Sequence, residues 1–223
     1  MFKTEMHCHS AHVSACGHVK ADQIIEKYLE AGYTTIVSTE HLNSETFSEE
    51  LEKGSWQDRV SYFMEGYNHL VDAAKGRINI LLGAEIATPN TGWNDFLVYG
   101  LTEDFLRSID DPRCAANAGA LSSIMHKGGA MFFQAHPFRE HMQVTNPGIL
   151  DGIEIGNFNF WVESNNDIAQ AWATKYNLIG ITGTDFHLHE HKPTGGIITE
   201  YPITDNETLL KTLRERNFST LWD

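Results

Sequence analysis

The residues of this chain best suited to chemistry are histidines and carboxylates, spaced two apart or set just after apolar runs. His7-Cys8-His9 comes first. Side chains two apart on a strand share a face, so both imidazoles can address one ion while Met6 and Cys8 pack on the other side. Gly183-Thr184-Asp185-Phe186-His187 repeats the arrangement with a carboxylate, and hard oxygen beside imidazole suits Mn, Fe or Zn. Between them stand His41, after Thr39-Glu40, Glu85, after Leu81-Leu82-Gly83-Ala84, and His136, in Gln134-Ala135-His136-Pro137. Glu85 can bridge two cations, one on each oxygen. Pro137 predicts an extended His136 that projects from a strand end. Each group alone has a plainer reading. Twelve histidines make chance pairs common, Glu85 could cap a helix, and His136 could be a satisfied core residue. Together, each at the end of an apolar run, they predict a metal cluster.

The elements that must position these groups alternate. Period-two apolar runs predict strands over residues 4–9, 34–37, 78–82, 96–99, 130–133, 153–155 and 179–181. Helical stripes lie between them. Ala21, Ile24, Ile25, Tyr28 and Leu29 form one, closed by Gly32. Val60, Phe63, Met64, Tyr67, Val71 and Ala74 form the longest, opened by a Ser55/Asp58 capping box and stopped at Gly76. Others surround Leu121, Ile124 and Met125, then Ile168, Ala171 and Trp172, then Leu209, Leu210 and Leu213 with a Thr204/Glu207 capping box. Strand–helix alternation without repeat or linker predicts one α/β domain over residues 1–223, built around a mainly parallel sheet. Each candidate ligand follows a strand. A barrel gathers such residues around one axis, whereas an open sheet spreads them across its width, so a barrel is expected.

Charge narrows the partners. A formal net charge of −14 repels phosphate backbones, so long nucleic acid is an unsuitable partner. A small phosphorylated substrate remains suitable, because cations make a pocket locally positive. Three cysteines leave an odd thiol and argue against a disulfide framework. Met1-Phe2-Lys3-Thr4-Glu5 lacks the apolar region of a secretory signal, and no apolar run is long enough to span a bilayer. The expected location is the cytoplasm.

In their order along the chain, His7-x-His9, Glu40-His41, Gly83-Ala84-Glu85, Ala135-His136-Pro137 and Asp185-x-His187 resemble the motifs of the polymerase and histidinol phosphatase (PHP) family of metallo-phosphoesterases. The matching stretches cover nearly the whole chain, as in a stand-alone PHP domain. The resemblance implies a distorted, TIM-like, seven-stranded β/α barrel with two or three divalent ions (Zn, Mn or Fe) at its carboxyl-end face. One ion would take His7, His9, Glu85 and Asp185. A second would share Glu85 and take His136, and a third would take His41 and His187. Two departures stand out. Where the family often has an acidic residue or histidine after the first motif, this chain has Cys16-Gly17. A Cys16 thiolate would tilt the third site toward zinc or iron, with His12 or His18 as alternatives. Some members also supply a histidine to the second metal from the strand near residues 96–100, and none is present here.

The reaction implied is phosphoester hydrolysis, in which cations acidify water and hold phosphoryl oxygens. Asp185 is expected to orient the attacking hydroxide. Arg139 is expected to clamp phosphate through its planar fork, unless it is an ordinary surface arginine. His18 would protonate the leaving group if Cys16 is the ligand. Hydrolysis of an amide-type bond and a non-catalytic metal module are the alternatives, since fold alone does not choose. Phe158-Asn159-Phe160-Trp161 could line a substrate pocket or cover the sheet, and Leu188-His189-Glu190-His191-Lys192 reads as a solvated loop.

Overall fold

The computed structural model describes residues 1–222. Its first strand, β1 (Phe2–Cys8), is buried along all but its first two residues, as a strand inside a covered sheet must be. Helix α1 (Ala21–Glu30) turns Ile24, Ile25 and Tyr28 inward and gives way to Gly32 at φ +77°. That left-handed position is one glycine adopts without a Cβ clash. Next come β2 (Tyr33–Ser38), the two-residue β3 (His41–Leu42), a single turn α2 (Glu49–Glu52) and the long α3 (Trp56–Ala74). The Ser55/Asp58 capping box forms as expected and is worth about 1 kcal/mol. Leu70 takes the inward place predicted for Val71, which is 40% exposed.

The remainder alternates as β4 (Asn79–Ile86), β5 (Phe96–Tyr99), α4 (Glu103–Ser108), α5 (Ala118–Lys127), β6 (Met131–Gln134), β7 (Gly152–Asn157), α6 (Asn166–Tyr176), β8 (Ile179–Gly183), β9 (Ile197–Thr199), α7 (Asn206–Glu215) and β10 (Ser219–Thr220). The sheet runs β10-β9-β1-β2-β4-β5-β6-β7-β8, with β3 beside β4. Just beyond β8 the chain returns to β1. Cys8 and Phe186 form a parallel bridge, the His9 N–H donates to the Phe186 carbonyl at 3.0 Å, and the Phe186 N–H donates to that of His7 at 3.3 Å. The barrel is thus nearly closed.

The path contains nine strands rather than the expected seven. β9 and β10 are the additions, and runs of three and two residues are too short to carry a readable period. A second difference matters more. β5 is antiparallel to both β4 and β6. Its first residues therefore lie at the carboxyl ends of its neighbours, on the face where those strands deliver their ligands.

Two helices depart from expectation. α6 buries Ala169 and Ala173 instead of Ile168 and Ala171, which face solvent, while Trp172 is half-buried. Small residues let this helix lie close on β7. α7 is capped by Asp205, whose side chain accepts the Thr208 N–H at 2.8 Å, not by Thr204. It packs Leu209 and Leu213 against a core that includes Met6, Val37, Leu81, Leu97, Phe133 and Ile181, each from a different strand. Among the described residues no helix is long and apolar enough to cross a membrane.

Candidate metal centre

β1 delivers His7 and, one residue past its end, His9, both fully buried. Their Nε2 atoms each lie 3.3 Å from Glu85 Oε2, and 3.3 and 3.5 Å from Asp185 Oδ1. Glu85, near the end of β4, spreads its two oxygens: Oε1 is 3.1 Å from His136 Nε2, and Oε2 is 3.1 Å from His41 Nδ1. The His9 ring stacks 4.3 Å from both His41 and His187. Three groups result, each with ligand atoms within 4.8 Å of one another: His7, His9 and Asp185; His7, Glu85 and His136; His9, His41 and His187.

The residues fit a divalent cation. His7 Nε2, His9 Nε2, His41 Nδ1 and Glu85 Oε2 are all buried without a hydrogen-bond partner. Each such orphan costs about 1–3 kcal/mol, so four converging on one space need a common partner. Imidazole nitrogen mixed with carboxylate oxygen is the donor set of a transition-metal ion.

Hydrogen bonds behind the rings aim them. His7 Nδ1 donates to Glu154 Oε1 at 3.0 Å, which turns the Nε2 lone pair toward the cluster. His9 Nδ1 meets Ser14 Oγ at 3.2 Å, and Ser14 donates in turn to Glu40 Oε2. Glu40 Oε1 accepts the N–H and the hydroxyl of Ser10, so this carboxylate supports His9 through a serine instead of facing the cluster. His187 Nδ1 donates to the Asp185 carbonyl at 2.8 Å.

No family model and no curated protein matches the sequence. Solved structures do. A two-domain protein from Bacteroides vulgatus, containing a predicted PHP-like metal-dependent phosphoesterase, superposes at TM-score 0.71 and 19% identity over 99% of this chain. The chain has the PHP-like fold. It spans 64% of that two-domain protein's length. A candidate metal-dependent phosphoesterase from Bifidobacterium adolescentis matches at TM-score 0.57 and 12% identity, over 96% of each chain. An amidohydrolase from Chromobacterium violaceum, solved with sulfate and no metal, matches at 0.59 and 12% over 97% of each.

In this PHP-like barrel the imidazoles fall into two classes. Burial opposes charge on His7, yet Asp185, Glu85 and Glu154 outweigh it and raise its pKa well above the usual histidine value. His9 wins the same contest through Asp185 and Glu85 and rises to about 9. Burial, then the neighbouring His9, push His41 down to about 3 and His187 down to about 4. Burial works against ionisation of Glu85 and Asp185, but His7 and its neighbours hold both well below the carboxylate range.

Arg139 reaches the edge of the cluster, with Nη2 2.9 Å from both Asp185 Oδ2 and Asn157 Oδ1 and with Nε buried and unpartnered. Other expectations are not met. Cys16 is exposed and lies outside the three groups. The turn closed by Gly17 N–H on the Ser14 carbonyl sends Ser14 inward and leaves Cys16 outside. His18 is exposed and only its backbone reaches His187, while His12 stacks 3.9 Å from His69. In the third group His9 stands where one of these three was expected. His136 is not extended: its φ is +26°, and Asp185 has +53°. The His136 N–H donates to Glu154 Oε2 at 2.9 Å, and this bond with the reach to Glu85 overrides the bias from Pro137.

Three contributors escaped the sequence reading. Glu154 and Ser14 act behind the ligands, and the one signal for Glu154 was a carboxylate between two isoleucines in a strand buried on both faces. Asp95 precedes β5 and accepts the Ala135 N–H through its carbonyl. Burial, then the charge of Glu85, raise its carboxyl to about 7.

Proposed function

We propose that this chain is a metal-dependent phosphoric ester hydrolase acting on a small phosphorylated substrate over two or three divalent cations. The observation that carries the reading is a guanidinium, that of Arg139, held 2.9 Å from Asp185 beside four buried, unpaired ligand atoms. A cation cluster with an adjoining planar cation suits a phosphoryl group. His7, His9, Glu85 and Asp185 would hold the inner ion, Glu85 and His136 the second, and His41 and His187 the third. Bound cations, with Zn, Mn and Fe as candidates, would supply Lewis acidity to the phosphoryl group and acidify water. Asp185 has Oδ1 in the cluster and Oδ2 on Arg139, which positions it to accept a hydrogen bond from the attacking water. The Arg139 guanidinium, held on Asp185, would supply a fixed positive charge beside the phosphoryl group. The net charge of −14 favours a small substrate over a nucleic-acid polymer.

Amide-bond hydrolysis is the second reading, favoured by the fold neighbour named an amidohydrolase. One experiment separates them. Protein purified without chelator is analysed for metal and assayed on panels of phosphomonoesters and amides, alongside His9→Ala and Asp185→Ala. Two or three ions per chain, with phosphate release lost in both variants, is the expected outcome. Ions with amide turnover alone would select the second reading, and no ion after reconstitution would sink both.

A further inference from the structure

The ligand positions are unequally furnished. His7 Nε2 and His9 Nε2 both approach Glu85 Oε2 and Asp185 Oδ1, so four ligand atoms converge at the inner position. The second position has Glu85 Oε1 and His136 Nε2, 3.1 Å apart, and shares His7 with the inner one. Its carboxylate is shared as well. Two or three divalent cations against the charges of Glu85 and Asp185 would leave a large positive excess in a buried space, which favours a further anionic ligand.

The backward run of β5 brings one within reach. Leu97 pairs with Glu85 and packs in the same core as Met6, Val37 and Ile181. Asp95 comes two residues before Leu97, and alternate residues of a strand share a face, so it is the diagonal neighbour of Glu85 on the inner side. The Ala135 N–H donates to the Asp95 carbonyl at 3.0 Å, which extends the pairing of β5 with β6 and sets Asp95 beside the turn that carries His136. After burial, the charges that act most strongly on its carboxyl are those of Glu85 and then His136. Among the described residues no hydrogen-bond donor meets this carboxyl. It is half-buried and, with Trp93 and His141, lines a cavity of about 410 Å³, so an ion can reach it from outside. Its oxygens stand outside the three close groups. Repulsion from Glu85 keeps the two like charges apart, and a divalent cation between them would reverse that force.

We infer that Asp95 is a further ligand of the second ion, supplying an oxygen from the strand on which this chain has no histidine. This rests on the metal-dependent reading above and does not depend on which bond is hydrolysed. An oxygen in place of an imidazole nitrogen shifts the preference of that position from Zn toward Mn.

The test titrates Mn²⁺, and separately Zn²⁺, into the full chain after treatment with chelator. Free Mn²⁺ is counted by electron paramagnetic resonance and bound Zn²⁺ by elemental analysis. Asp95→Asn keeps the size of the side chain and removes its charge. It is expected to weaken one Mn²⁺ position at least about tenfold and to leave the others, and the circular dichroism, unaltered. In a His136→Ala background, where the second position is already weakened, Asp95→Asn should add little, as expected of two residues on one ion. Asp95→His should recover that position for Zn²⁺ and not for Mn²⁺. Unchanged Mn²⁺ binding in Asp95→Asn, or a loss that adds in full to that of His136→Ala, overturns the assignment. So does an equal weakening of every position, which marks a general loss of structure. If the native chain binds neither ion, the metal-dependent reading fails and takes the assignment with it. If it binds ions that do not respond to Asp95, that reading stands and the assignment alone falls.

Discussion

The inner and outer ends of the ligand cluster are built on different principles. At the inner end His7 and His9 are wholly buried, and each ring is backed by a carboxylate, Glu154 directly and Glu40 through Ser14. At the outer end His41 and His187 keep 17% and 12% of their side-chain surface, and the nearest acceptor at His187 Nδ1 is the Asp185 backbone carbonyl, at 2.8 Å. Neighbouring carboxylates raise the pKa of the inner rings, whereas burial lowers that of the outer rings. Tight orientation at one end is thus coupled to competition with protons, and at the other end easy access goes with weaker aim. Carboxylates divide the same way. Glu40 and Glu154 have both oxygens occupied by donors, whereas Glu85 keeps one unpaired, and that vacancy distinguishes a ligand from a support.

The comparison is broken most severely at the bridge between the ends. Glu85→Gln should empty at least two positions and reduce phosphate release to background, read by elemental analysis and assay. The pH dependence should differ strongly between ends. His9 is raised to about 9 and His7 well above the usual histidine value by the neighbouring carboxylates, so at pH 7 an inner ion must displace protons. Inner affinity should therefore rise about tenfold per pH unit for each proton displaced, with a shallower slope above the His9 value. His41, at about 3, and His187, at about 4, are already deprotonated, so outer affinity should be nearly flat above pH 5. Calorimetry in buffers of different ionisation heat would count the protons, and equal release at both ends would erase the distinction. Glu154→Gln should weaken inner binding by about 10–100-fold with little change in fold, as circular dichroism would check. His187→Ala should cost one ion and leave the inner one in place. Smallest of all, Cys16→Ser should leave the ion count unaltered; a lost ion would bring the loop after β1 into the ligand set.

Ligands were legible where a period-two strand exposed them. His7 and His9, or Asp185 and His187, declare a shared face by spacing alone, and an apolar run announces Glu85. What stands behind them was not legible, because Ser14 and Glu154 lie on segments whose proximity to His9 and His7 exists only in the folded chain. Asp95 was hidden by a different cause: the rule that sites lie after strands fails at β5, which runs backward. The sign of strand direction carries no local pattern in sequence. Cys16 erred the other way, since its type suited a metal but a tight turn at Gly17 points it out. In α6, Ile168 and Ala171 read as an inward stripe because hydrophobicity was weighed above size, whereas close packing on β7 selected Ala169 and Ala173.

The seam between β1 and the chain beyond β8 has one further consequence. It is stitched by a single bridge, Cys8 to Phe186, and by buried Glu5, whose carboxylate gathers N–H groups from both sides, those of His7 and Thr184. His7 and His9 stand on one lip, Asp185 and His187 on the other. Ions held between them would act as rungs that the hydrogen-bonded ladder lacks. Occupancy would then govern how long the cylinder stays shut: removal of such ions by a chelator is expected to make the seam the first place to exchange amide hydrogens and the first to admit a protease.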